Sequence, residues 1–265
     1  MSSDDLLKKT LQLNVKPEEF SWLENTISSS MENGRLLQIA FVAVPKYIKK
    51  AILVLDPEMK NQFDKTVHFI PEDWTLDKLA RVYIILHFNS ENEEKYVNDL
   101  NTLFETAEIN ELAALHSALP LLHFPKKWLP HAKEAVRSNM GLVFDAIAFN
   151  NPYPSMHFDE QAWNQMVLKT IFGGKNIENI YDLKERSNKE LANMISDFAH
   201  ERWAAGRTIS PEVWQLVAPF IDGHLINDME KLFQSENEKE RLAAKVSCMQ
   251  SDYVGAKELL KKYCV

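Results

Sequence analysis

At 265 residues, with 45% hydrophobic and 26% charged side chains, the chain has the make-up of a globular protein. That length buries roughly three quarters of the unfolded surface. Its net charge of −8 argues against the basic face of a nucleic-acid binder and against attraction to anionic lipid. The two cysteines, Cys248 and Cys264, are too few for a disulfide framework or a four-thiolate metal site.

Seven glycines leave little material for the tight turns of a sandwich or the phosphate loop of a dinucleotide fold, so composition leans towards helices. Leu6, Leu7, Leu11 and Leu13 predict a first helix. Pro17, ahead of Glu18 and Glu19, starts a second, with Phe20, Leu23, Ile27 and Met31 as its stripe and Asn33-Gly34 as its stop. Leu36, Leu37, Ala40, Phe41 and Val44 form a third stripe, broken or kinked at Pro45 and followed by the basic Lys46, Lys49 and Lys50. Residues 55–73, holding Pro57 and Pro71, read as a loop. Thr75 caps a helix through Leu76, Leu79, Ala80, Tyr83, Ile84 and Leu86. Ser90 with Glu93 is a capping box for the next, which carries Tyr96, Leu100, Leu103 and Phe104. Ile109–Leu119 and a long segment from Ala132 to Phe149, with Met140, Val143, Phe144 and Ile147 buried, complete the first half. Ala51–Leu55 is the nearest approach to a strand.

Beyond residue 150, Asp159 caps a helix with Trp163, Met166, Val167, Thr170 and Ile171 on one side, closed by Gly173-Gly174. Ser187 and Glu190 make a second capping box before Leu191, Met194, Ile195 and Phe198, and Gly206 is placed to end that helix. Ser210-Pro211 opens a further helix, and Ser235 with Glu238 caps one in the tail. The short helix, acidic turn and Arg241-Leu242-Ala243-Ala244 of the tail read like a HEAT-type pair, although no clean period of about 40 residues recurs upstream. The fold expected is all-α, a stack of antiparallel helical hairpins resembling an α-solenoid, with a compact irregular bundle as the alternative. A single domain, 1–265, is expected, with a looser part over 1–130 and a motif-bearing part over 131–265. No uncharged apolar run reaches the ~18–20 residues of a membrane span. The acidic start, Ser2-Ser3-Asp4-Asp5, is unlike a secretion signal, so a cytoplasmic location is expected.

The densest mixture of aromatics, amides and charges runs from residue 149 to 207. His200-Glu201 begins like a zincin helix, but the second histidine that chemistry needs at 204 is an alanine. Asp197, His200 and Glu201 share a helix face and can serve as acid–base or metal groups; a solvated polar face is the simpler reading, so no metal or other cofactor is expected. Arg202 and Arg207 can grip an anionic group or tie helices together through carboxylates. Trp163, Trp203 and Trp214 can line an apolar groove or fill helix crossings. Asn164 and Gln165 can orient a ligand or cap the Asn151-Pro152-Tyr153-Pro154 turn. No nucleophile elbow, Walker loop or dinucleotide fingerprint is present. The candidate ligand- or partner-binding residues are therefore Asn151, Tyr153, Trp163, Asn164, Lys169, His200, Glu201, Arg202, Trp203 and Arg207.

Asn151-Pro152-Tyr153-Pro154, then Phe158-Asp159-Glu160-Gln161-Ala162-Trp163-Asn164-Gln165-Met166-Val167-Leu168-Lys169, resembles the EboA family. So do Ala199-His200-Glu201-Arg202-Trp203-Ala204-Ala205-Gly206-Arg207 and Leu216-Val217-Ala218-Pro219-Phe220, and more loosely Trp74–Arg81 and Arg35-Leu36-Leu37. The resemblance implies a bacterial or algal-plastid protein of an ebo-type gene cluster that handles a secondary metabolite. It implies as partners the cluster's other products, among them a membrane-embedded prenyltransferase, a metal-dependent hydrolase and a sugar-cyclase-like enzyme, and a hydrophobic metabolite. In cyanobacteria it implies a link to export of a sunscreen-pigment precursor. It carries over no catalytic residue. The function expected is that of a non-enzymatic helical protein in assembly or transfer of the metabolite, acting by binding partners or an amphipathic intermediate. The alternative is an enzyme of the same pathway that uses Asp197, His200 and Glu201.

Overall fold

A computed structural model describes residues 2–30 and 33–263; Met31 and Cys264, both invoked above, lie outside them. The described elements are helical, and the expected strand at Ala51–Leu55 reduces to one isolated antiparallel bridge between Ile52 and Thr75. The chain divides into two compact units, Met1–Phe158 and Asp159–Val265. No helix among the described residues is long and apolar enough to cross a membrane.

The first unit contains α1 (Ser3–Asn14), α2 (Pro17–Ser30), α3 (Gly34–Tyr47), α4 (Pro57–Val67), α5 (Leu76–Ile85), α6 (Glu93–Thr106), α7 (Ile109–Ala118), α8 (Leu129–Arg137), α9 (Gly141–Ala148) and the short α10 (Tyr153–His157). Helix α5 is buried on every side, since apolar residues run almost unbroken from Leu79 to Ile85. It packs against α1, α3 and α7, while α7 packs in turn on α9, so alternate helices lie in a row. Two of its buried residues are charged. The Arg81 guanidinium, 2% exposed, donates to Asp77 at 3.0 Å and to the Phe41 carbonyl at 3.3 Å, and lies 3.7 Å from Glu111. One Asp77 oxygen has no hydrogen-bond partner. This cluster gave one sequence signal, the Asp77-x-x-x-Arg81 spacing on a mostly apolar helix, which brings the two side chains to one face.

A second buried polar group is His116. Its Nδ1 lies 2.7 Å from the Leu112 carbonyl and its Nε2 3.3 Å from that of His131. Phe104 packs its edge against His116 and stacks flat on His131 at 4.0 Å. Burial holds His116 below the usual imidazole range, and the same cause acts on His131 and His157. Each imidazole is therefore neutral when folded at a pH where the unfolded chain binds a proton. This contribution to stability is complete above about pH 6.5 and is lost as the pH falls below it. Denaturant unfolding between pH 7 and pH 5 is expected to show stability falling with acidity, with a shallower slope in His116→Gln. An unchanged slope in that variant would remove His116 from the account.

Several helix ends differ from expectation. Asn33, expected as a stop for α2, is the N-cap of α3; its side-chain amide oxygen accepts from the backbone amides of Arg35 and Leu36. At Gly34 an ideal Cβ would fall 2.1 Å from the Asp99 carboxylate, so a larger residue there requires that side chain to move. The caps expected of Ser90, Ser187 and Ser235 are made by Asn92, Asn188 and Asn237, whose amide oxygens accept from Lys95, Leu191 and Lys239. Thr75 holds its N-cap position without a side-chain bond, its neighbours being engaged with Ala51 and Leu53. The segment read as a loop over 55–73 contains α4, started by Asp56 capping Met59 at 2.7 Å with Pro57 at N1, and ended by His68 at φ +60. The long helix expected over Ala132–Phe149 is two helices. Ser138 accepts from the Met140 amide, a local alternative to the helical bond, and Gly141 lowers helix propensity just beyond it. Met140, expected in the buried stripe, is 40% exposed. Pro45 does not end α3, which continues to Tyr47.

The second unit contains α11 (Glu160–Phe172), α12 (Lys189–Ala204), α13 (Ile226–Phe233), α14 (Glu238–Gln250) and α15 (Val254–Tyr263), with a 3-10 segment at Pro211–Leu216 where a regular helix is expected. α11 and α12 pack together; α13, α14 and α15 form a second group, with α14 also resting on the 3-10 segment.

Candidate functional site

The residues singled out from the sequence fall into three settings. Asn151 and Tyr153 belong to the first unit, where both are buried. The Asn151 amide donates to the carbonyls of His116 at 3.0 Å and Ala146 at 2.8 Å, and its oxygen accepts from the Tyr153 backbone at 3.0 Å. The Tyr153 hydroxyl donates to the Pro125 carbonyl at 2.5 Å, and burial pushes its phenol above the ordinary range. These bonds pin the turn from within.

Asn164 and Trp163 sit on α11, which starts where Asp159 accepts from the Ala162 amide at 2.8 Å and closes at Gly174, φ +62. Asn164 and Asn188 exchange reciprocal amide bonds of 3.1 and 2.8 Å, which tie α11 to the N-cap of α12. Trp163 is fully buried, with the Arg186 guanidinium 4.7 Å above its ring. Lys169, farther along α11, is half-buried, and desolvation lowers the proton affinity of its ammonium.

The third setting is the C-terminal end of α12. Gly206, at φ +68, turns the chain there; its amide donates to Trp203 and the Arg207 amide to the Arg202 carbonyl at 2.8 Å. That turn sets Arg207 beside Trp203. The Trp203 indole stacks on buried Trp214 at 5.8 Å, meets the His200 ring at 5.4 Å, and carries the Lys231 ammonium 4.6 Å over its face. Arg202 lies over Phe198 and donates to the Thr208 carbonyl at 3.4 Å. A groove of about 490 Å³ opens here, walled by Trp203, Arg207, Thr208, Lys231, Gln234 and Glu240. Glu240, 5% exposed, accepts from Ser235 at 2.5 Å. Two cations thus face the groove against one carboxylate held by a hydroxyl.

His200, Asp197 and Glu201 are all exposed, and the carboxylate that His200 meets comes from another helix. Its Nε2 lies 2.6 Å from Asp228, a carboxylate 2% exposed that also accepts from buried Ser196 at 2.5 Å. Among the described residues no three His, Cys, Asp or Glu side chains are grouped to hold a metal ion. Asp228 and Lys231 escaped the sequence reading. Asp228 carried a faint signal, an acid next to Met229 on the buried row of α13. Lys231, on the polar side of that helix, carried none.

Residues 3–218 match the family model described as metabolite traffic protein EboA. No curated protein and no solved structure matches the chain.

Proposed function

The chain belongs to the EboA family of metabolite traffic proteins, and on that premise we propose that it acts by binding, holding an anionic amphipathic metabolite in the groove at the end of α12 without transforming it. The observation that carries this reading is the pairing of an aromatic wall, Trp203, with the cations Arg207 and Lys231 in one groove. The indole offers apolar area with little rotamer freedom to lose, and the guanidinium can meet a carboxylate or phosphate bidentately. Trp214 behind the indole and the Asp228–His200 contact beside it support Trp203 from the protein side. Exchange of the metabolite with partner proteins of the same pathway completes the role.

Indole-3-acetate and its neutral amide form a matched pair of probes for the groove. Nuclear magnetic resonance titration is expected to show the anion binding about tenfold more tightly, the scale of one charge-assisted hydrogen bond. Arg207→Gln with Lys231→Gln is expected to remove that preference while leaving the weak apolar binding. Equal affinity for acid and amide, or a preference that survives both substitutions, would end the proposal.

A further inference from the structure

The face of α3 turned away from the first unit's core is apolar, where a solvated helix would be polar. Leu37, Ala40, Phe41 and Val44 are buried, and the opposite arc presents Leu36 at 42% exposure, Ile39 at 57%, Val42 at 53% and Tyr47 at 49%. Leu36 is thus corrected from the buried stripe in which its spacing set it. Exposed Arg35 and Lys46 lie on the same arc, one towards each end. From Gly34 to Leu55 the sequence holds no carboxylate, although the whole chain carries −8; Lys49 and Lys50 add further cations, and exposed Ile52 and Val54 further apolar surface. Tyr47 stacks on Trp22 at 4.2 Å at the border of this face. Beside it runs a shallow gap of about 300 Å³, lined by Ile39, Val42 and Lys46 and by Thr102 and Thr106 of α6, none of them acidic. The Asp99 carboxylate sits at the N-terminal end, against Gly34.

We propose that this face of α3 docks on the surface of an anionic phospholipid bilayer. A helix of this length is about 21 Å long, and one lying in the headgroup region buries a central apolar strip while its terminal cations reach the phosphates. Long basic side chains lay their stems along apolar surface and keep their charges outside it, and paired aromatic rings suit the same boundary. The net charge, which argues against lipid attraction when taken over the whole chain, does not decide the matter at one face, because charges farther away than about 8–10 Å are screened at physiological ionic strength. The charge that matters is local, and here it is positive. Apolar residues between cations on one helix face match the layering of a bilayer boundary, with acyl chains beneath phosphates.

The test is flotation of the full chain with phosphatidylglycerol-containing vesicles and with phosphatidylcholine vesicles, at low and high salt. The chain is expected to float with the anionic vesicles alone and to be released by salt. Lys46→Glu reverses one charge and is expected to weaken binding by roughly 25-fold, two steps of about fivefold. Ile39→Glu is expected to weaken it tenfold or more through lost apolar burial. Both positions are exposed, so thermal melting is expected to stay unchanged; should Ile39→Glu fail to fold, Lys46→Glu decides alone. Absence of flotation, equal flotation with neutral vesicles, or full binding by Lys46→Glu would overturn the inference. So would a solution dimer that Ile39→Glu converts to monomer without any vesicle binding, which would assign the face to a second copy of the chain.

Discussion

Arg81→Met is expected to lower the unfolding free energy by about 3–5 kcal/mol, the range for removing one partner of a buried ion pair. Arg81 and Asp77 are almost wholly removed from water, and Glu111 lies 3.7 Å away on α7. Without the guanidinium, two carboxylates remain in the core of the first unit, and one Asp77 oxygen already lacks a partner. The Phe41 carbonyl also loses its donor. Methionine keeps most of the volume, so the effect reads charge rather than cavity. The comparison that isolates the cause is the triple variant Arg81→Met, Asp77→Asn, Glu111→Gln, in which no charge is stranded. Glutamine at 111 keeps the oxygen that accepts from the Glu108 amide at 3.0 Å. The triple variant is expected to recover much of the loss in guanidinium unfolding followed by circular dichroism. A single-variant loss below about 1 kcal/mol, the value of an exposed pair, would show that water reaches the cluster.

Asn151→Ala is expected to cost about 3 kcal/mol, at about 1 kcal/mol for each of three buried hydrogen bonds. The side chain donates to carbonyls on α7 and α9 and accepts from the amide that opens α10. Asn151→Asp is expected to be at least as damaging at neutral pH, because it turns a carboxylate towards two carbonyl oxygens that need donors. Thermal melting of both variants, alongside titration with indole-3-acetate, separates architecture from recognition. A variant that melts like the parent yet loses the probe would support the binding role its sequence context suggests.

Asn151 also shows where the sequence stops being informative. Its setting among aromatics and prolines marks it as special, but its partners lie 35 residues away on another helix and 5 away across a turn. The same holds for His200. Its helix, its position near the C-terminal end and the glycine that ends the helix were all legible, because each depends on residues within a turn or two. Local spacing groups it with Asp197 and Glu201, whereas the carboxylate it meets is Asp228, 28 residues on, which nothing in the sequence links to it. Trp203 and Arg207 were legible as neighbours, since Gly206 turns the chain between them; Lys231 over the indole was not.

By itself the sequence determined the helical class, through scarce glycine and apolar spacings of three and four. It also determined most helix locations and, through the blocks at 151–169, 199–207 and 216–220, the family. The exact starts shifted where asparagine rather than serine supplied the cap. Tertiary structure alone decided which of those helices is central, which buried charges meet, and that α3 keeps an apolar face uncovered. The physical reason is one of range. Periodicity and capping report what a segment does with its own backbone and its own faces, within a few residues. Which other segment covers a face, and which distant donor answers a buried acceptor, is settled only when the helices pack.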